Sequence, residues 1–174
     1  MPRIGFPWAS PPPNESLKMS KSLARVAAAL AQASIAPTIV EMAAGTHTAE
    51  DAARAAGCMV DQIAKSIVFQ GRESGRIALF ITAGGNRVDP ERAGALAGEP
   101  LGKADADLVR ATTGFAIGGV APIGHLTPPL AFFDRRLLDF PGIWAAAGTP
   151  RHVFAIVPAD LLRISGAALA DFTG

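Results

Sequence analysis

The sequence predicts an α+β fold: a single domain in which helices flank a mixed, mostly antiparallel sheet. Three observations point there. The chain has 174 residues, a length that suits one domain around one substantial core. Helix-like and strand-like segments mix along it without the strict βαβ alternation of a doubly wound sheet. And 49% of its residues are apolar against 18% charged, so a packed interior is affordable. No internal repeat and no second domain is visible.

The elements follow in order. "SKSLARVAAALAQASI" places Leu23, Val26, Ala27 and Leu30 at helical spacing, which predicts a helix from Ser20 to about Ala33. "PTIVEM" reads as a short strand. "GTHTAEDAARAAG" reads as a loop and then a helix, with Thr48 as N-cap, Glu50 and Asp51 in the first turn and Gly57 as its stop. "IAKSIVFQ" and "IALFITAG" form a hairpin around the turn "GRESGR". "DPERAGALAG" is a helix opened by Asp89 with Pro90 at its first position, and "KADADLVRATTG" gives another. "LAFFD", "IWAAAG" and "HVFAIV" read as strands, and "PADLLRI" as a final short helix.

Composition narrows the function classes. Nine Phe, two Trp and no Tyr leave a mainly aliphatic core, which argues against a sheet that stacks several bases on aromatic rings. A net charge of +1 gives no general footprint for a long nucleic acid, and no DNA partner is expected. A short nucleic-acid end remains compatible. Arg110, Arg135, Arg136, Arg151 and Arg163 suit such a contact, and they equally suit a solvated surface. Cys58 is the one cysteine, so the chain forms no internal disulfide and no cysteine-based zinc cluster. His47, His125 and His152 match no metal spacing, and no metal or cofactor is expected. No apolar run is long enough to span a membrane. The first 18 residues, proline-rich, read as a flexible extension ahead of a domain over 19–174, with Met19 an alternative start. A cytoplasmic setting is expected.

Lys65 is the sharpest single residue. On a strand it shares a face with Ile67 and Phe69, while Ala64, Ser66 and Val68 take the other, and both faces are largely apolar. A buried ammonium needs an anionic partner or a wet cavity. The same pattern also suits a lysine at the strand edge that snorkels to water. The loop "GGVAPIGH", 118–125, combines adjacent glycines with a stiffening proline. Its backbone N–H groups suit an anion nest or an oxyanion hole, and an ordinary glycine-rich connection reads the same way. "TAGGNRVD" is well explained by turn chemistry. "AAAGTPRH" ends a strand at Gly148, as a plain turn or as the lip of a pocket. Thr46, His47 and Thr48 surround a helix start. His125 adjoins the glycine loop with no nucleophile identifiable for it. Cys58 reads as a small buried hydrophobe, and Asp134, at the end of an apolar strand, as a structural or catalytic acid.

In this order "TAEDAARAAG", "QIAKSIVF", "TGFAIGGVAPIGH" and "AAAGTP" resemble the YbaK/EbsC family, itself similar to the editing domain inserted in bacterial prolyl-tRNA synthetases. The match covers roughly residues 20–172. The resemblance implies a mixed sheet with a central pocket and a trans-acting aminoacyl-tRNA deacylase. That enzyme would act on the ester of mischarged tRNA, with tRNA-Pro carrying a small non-cognate amino acid as the expected class. It implies Lys65, Gly118 and Gly119 as catalytic positions. Thr46, His47, Pro122, Ile123, Gly124, His125 and Gly148 are implied around the substrate. Some relatives carry an aspartate a few residues after the last glycine; the corresponding place here is Val153.

The implied chemistry needs no triad. An aminoacyl ester is already activated, so stabilising the oxyanion of its tetrahedral intermediate suffices, with water as the nucleophile. Backbone N–H groups near Gly118 and Gly119 are the expected donors. Lys65 is expected to hold the phosphate or sugar of the terminal adenosine. Ile117, Val120, Ile123 and His125 are candidates for setting the pocket's size. The expected partners are the acceptor end of aminoacyl-tRNA and an aminoacyl-tRNA synthetase. The competing reading is a non-catalytic module that binds an aminoacyl or nucleotide-like ligand on the same fold.

Overall fold

Strong local signals set most of the elements. The computed structural model describes residues 20–43 and 47–174; the expected extension over 1–18 and Thr46 lie outside them. Helix α1 (Lys21–Gln32) starts where the Ser20 hydroxyl accepts from the Leu23 N–H at 3.2 Å, and it buries Leu23, Val26 and Leu30. Strand β1 (Ile39–Glu41) leads to α2 (Ala49–Ala56), capped by the Thr48 hydroxyl and closed by Gly57 at φ +70°. Strands β2 (Ile63–Gly71) and β3 (Ile77–Ala83) form the predicted hairpin. Helix α3 (Pro90–Ala97) opens on Asp89, whose carboxylate takes the N–H groups of Glu91 and Arg92. Strand β4 (Leu101–Lys103), helix α4 (Ala106–Thr113) and strands β5 (Leu130–Asp134), β6 (Ile143–Ala146) and β7 (His152–Ile156) follow. Helix α5 (Pro158–Ser165) and strand β8 (Ala168–Ala170) complete the described chain.

The strands form one sheet in the order β1-β7-β6-β2-β3-β5-β8, with β4 beside the far end of β2. It is mixed: β1–β7, β2–β3, β2–β4 and β6–β7 are antiparallel, while β2–β6, β3–β5 and β5–β8 are parallel. The three-residue strands β4 and β8 are too short to leave a period in the sequence. Alternation sorts the core. Leu79, Ile81, Phe133, Ile143 and Phe154 pack under α1, α4 and α5 on one face. Phe80, Phe132 and Phe172 meet α3 on the other, and beside them Trp144 and Ala155 meet α2. Lys65 shares the parity of Ile63 and Ile67, so it emerges on the second face, between α2 and α3.

Candidate active site

The sheet has a gap, and the site lies in it. β3 pairs with β2 from Ala64 to Gln70. On the other edge of β2, β6 holds Ile63 and Ala64, and β4 holds Phe69 to Gly71. Among the described residues, no strand pairs with 65–68 on that side. A cavity of about 340 Å³ occupies the space. Lys65 and Ser66 form one wall, Trp144, Ala146 and Val153 another. Gly118 and Val120 close it from the glycine loop, and His47 and Thr48 from the start of α2. Of the residues proposed from sequence, Lys65, Gly118 and His47 thus meet at one cavity, together with Val120. Val153 lines it too.

Lys65 is held by its surroundings. Its Nζ donates to the Gly84 carbonyl at 3.1 Å. Burial pushes its ammonium below the ordinary value; Glu50, Asp61 and Asp134 pull it back, and Arg87 adds to the depression. The Gly84 carbonyl is itself fixed. Asp134, at the buried end of β5, accepts from the Ala83 N–H and from Asn86 Nδ2, each at 3.0 Å, and from the Arg136 N–H at 3.0 Å. Asp61 accepts from the Gly85 N–H at 2.9 Å and from Arg136 Nε at 3.0 Å. Two carboxylates and an arginine therefore clamp the turn that carries the lysine's acceptor. The sequence reading left Asp134 open between structure and catalysis; the geometry gives it the structural part. Arg136, a candidate for nucleic-acid contact, is paired with Asp61 and Asp139 instead. A second cavity of about 550 Å³ lies on the same face, lined by Glu50, Lys65, Gly84 and Arg87, so Lys65 stands in the wall between the two. A cleft of about 740 Å³ between α3 and β4 contains none of the residues singled out from sequence.

The glycine loop divides in two. Gly118 adopts φ +93°, and nothing stands within 4 Å of where a Cβ would project. Gly119 does not share that role. Its N–H donates to the Ala116 carbonyl at 3.0 Å, and a Cβ there would lie 2.9 Å from the backbone of Thr149. The oxyanion role expected of its N–H is corrected on that ground. The rest of the loop turns away from the cavity. Pro122 is buried, Ile123 sits in the core, and Gly124 passes over the backbone of Arg25. His125 stacks edge-on against Phe115, and its Nε2–H donates to the Ala121 carbonyl at 2.7 Å. Burial keeps it below its ordinary pKa. At Gly148 a Cβ would press on Ser22 and Phe115. These residues anchor the loop to α1 and do not line the cavity. Ile117, a size-setting candidate, is exposed on the surface.

Ser66 is the residue that sequence reasoning missed. Its hydroxyl is buried and has no hydrogen-bond partner. A lone polar side chain between Ala64 and Val68, on an apolar face, was the available signal. Cys58 packs beside the α2 cluster, and burial pushes its thiol up, as suits an inert small hydrophobe. Among the described residues no group of His, Cys, Asp and Glu side chains is arranged to hold a metal ion.

Comparison with known proteins bears on this cavity. Residues 43–164 match the model of the aminoacyl-tRNA editing domain. YwhH of Bacillus subtilis (strain 168), an uncharacterised protein, is 28% identical over 127 residues, covering 73% of this chain and 80% of its own. A structure solved as that of a candidate trans-editing enzyme for prolyl tRNA synthetase is 46% identical. It superposes with a TM-score of 0.82, over 90% of this chain and 99% of that one. The hypothetical protein APE2540, at 24% identity, shares the fold with a TM-score of 0.77, over 86% of this chain and 99% of its own.

Proposed function

This chain belongs to the aminoacyl-tRNA editing domain family, and on that premise we propose that it is a trans-acting deacylase of mischarged tRNA. Its substrate is tRNA-Pro esterified to a small non-cognate amino acid, and its setting is the cytoplasm. One observation carries this reading. Lys65 and Gly118 come from distant parts of the chain and line the same cavity, much of whose wall is made of alanine, valine and isoleucine side chains.

The roles follow from the surroundings. The amino-acid side chain enters the cavity. The Lys65 ammonium, at the wall between the two cavities, holds a phosphate or sugar oxygen of the terminal adenosine and fixes the ester. Water adds to the ester carbonyl, and the Gly118 N–H donates to the oxygen that becomes negative. The bond to the ribose oxygen then breaks, that oxygen takes a proton, and free amino acid and uncharged tRNA leave. A synthetase partner supplies further tRNA selectivity. Size selection by such walls is limited, at about 1–3 kcal/mol per methylene.

The test is deacylation of tRNA-Pro charged with alanine, cysteine, serine, 2-aminobutyrate or proline, run beside Lys65→Ala. Multiple turnovers on a small non-cognate ester, sparing proline and at least tenfold slower in the variant, are expected. An ester left intact or protected on all five would overturn the reading in favour of a binding module.

A further inference from the structure

The open edge of β2 offers more than a space. In an antiparallel pair, residues alternate between pointing both main-chain groups at the partner and pointing both away. The phase here is set by Gly71, whose N–H donates to the Arg76 carbonyl across the hairpin at 2.8 Å. Odd-numbered residues of β2 therefore serve β3, and even-numbered ones face the other edge. Arg72 agrees, since its N–H reaches the Pro100 carbonyl beyond β4 at 2.9 Å. Ala64 meets β6 and Gln70 meets β4. Ser66 lies between them. Pairing with β6 stops at Ala64↔Ala145, although β6 runs on to Ala146. The Ser66 N–H and C=O thus face the gap with no strand opposite. Buried main-chain groups are almost always paired, so an unpaired donor and acceptor at a cavity wall is a binding feature.

We propose that Ser66 reads the aminoacyl group as a strand one residue long. This rests on the deacylase reading above. A residue opposite Ser66 in an antiparallel pair would donate its N–H to the Ser66 carbonyl and accept from the Ser66 N–H through its own carbonyl. An aminoacyl ester carries both groups on one residue, as its α-ammonium and its ester carbonyl. The Ser66 N–H is then a second donor to the oxyanion, beside Gly118. The same pairing selects against proline through the backbone. Its α-nitrogen is a ring-held secondary ammonium with two N–H bonds in fixed directions, where other amino acids carry three that rotate to meet an acceptor. Discrimination against the cognate amino acid thus does not rest on pocket size alone.

The test removes one atom pair. Replacing residue 66 by the α-hydroxy analogue of serine turns its N–H into an ester oxygen and leaves the side chain unchanged. The same exchange at Phe69, whose N–H also serves β3 and whose preceding carbonyl lies outside the proposed pairing, is the control for lost strand pairing. Losing one oxyanion donor costs about 10²–10³ in kcat. We expect a loss of that order at position 66. At 69 we expect a lower melting temperature with a rate within threefold of wild type. On the wild-type enzyme, a propionyl ester of the same tRNA, which lacks the α-ammonium, should lose most of its enzyme-dependent hydrolysis relative to the alanyl ester. This second arm decides the matter if the backbone variant does not fold. An active wild-type enzyme with full activity in the position-66 variant, or with propionyl and alanyl esters hydrolysed alike, overturns the strand pairing and leaves the deacylase reading standing. A wild-type enzyme inactive on every ester overturns the reading on which it rests.

Discussion

Asp134→Asn tests whether the clamp beneath Lys65 serves the site. The carboxylate is 5% exposed and accepts three hydrogen bonds at 3.0 Å. Asparagine keeps one acceptor oxygen and sets an amide N–H₂ against a main-chain N–H. If the oxygen stays on Ala83 and Asn86, both bonds become neutral ones, and the Arg136 N–H loses its acceptor. Bonds to charged groups are worth about 1.5–3 kcal/mol and neutral ones about 0.5–1.5, which puts the total near 3–5 kcal/mol. In a chain of this length that corresponds to roughly 10 °C in Tm. The functional effect runs through the turn. Once Ala83 to Asn86 loosens, the Gly84 carbonyl no longer fixes Lys65, so KM for charged tRNA should rise at least fivefold with a smaller change in kcat. Urea unfolding gives the free energy, a thermal melt gives the Tm, and steady-state deacylation well below the variant's Tm gives KM and kcat. A Tm within 2 °C of wild type would refute the energetics. A lowered Tm with unchanged KM would refute the link from Asp134 to Lys65.

Two further predictions follow from the loop. Gly118→Ala places its methyl in open space and costs about 1–2 kcal/mol of backbone strain, whereas Gly119→Ala drives a Cβ into the backbone of Thr149 at about 1–3 kcal/mol and disturbs the loop's anchor. The first should lower the deacylation rate more than Tm, and the second Tm more than the rate per folded molecule; measuring both quantities on both variants checks the crossover, and its absence would remove Gly118 from the site. His125 is held below its ordinary value of 6.5 by burial, so above that pH neither the folded nor the unfolded chain carries the proton and the residue contributes no pH dependence. Below it the unfolded chain takes up a proton that the fold refuses, and stability falls as pH drops from 6.5 toward the lower folded value. His125→Gln should flatten the urea midpoint between about pH 7 and pH 5 relative to wild type, and parallel curves would show that His125 does not titrate in this way.

The sequence was informative where chemistry is local. Thr48 with Gly57, and Asp89 with Pro90, announce helix ends through their own side chains, and the β2–β3 hairpin announces itself by two apolar runs around a turn. Partner choice at a distance is different. Nothing in "LAFFD" says that β5 lies parallel to β3, or that β6 leaves β2 after Ala64, because those pairings depend on how the whole chain packs. The site shows the same division. Lys65 stands out as a cation in an apolar strand. The glycines do not sort themselves: Gly118 leaves room for a ligand, while Gly119 and Gly148 leave room for Thr149 and for Ser22 with Phe115. Both needs are met by the missing Cβ, so the sequence pattern is identical. Asp61 escapes, and Asp134 is noticed without its role, for a related reason: both hold main-chain N–H groups, which leave no sequence signature.

The gap itself explains why these residues cluster. A sheet completed across residues 65–68 would satisfy the Ser66 N–H and C=O and gain about 0.5–1.5 kcal/mol per hydrogen bond. The fold forgoes that gain. β6 turns off after Ala146, β4 rejoins β2 from Phe69 onward, and the space between stays open because Ala64, Ala145 and Ala146 are too small to fill it. A larger side chain at half-buried Ala146 would add apolar contacts and narrow the cavity, favouring stability while excluding an aminoacyl group. Function and stability therefore pull against each other at the same few residues, as expected where a binding surface is made of main chain. Alanines and main chain make up much of the wall, beside His47, Thr48, Lys65, Ser66 and Trp144, so the pocket has few side chains that sort one small aliphatic group from another. What it can read well is the part common to every α-amino acid ester and altered in proline, the α-nitrogen and the carbonyl beside it.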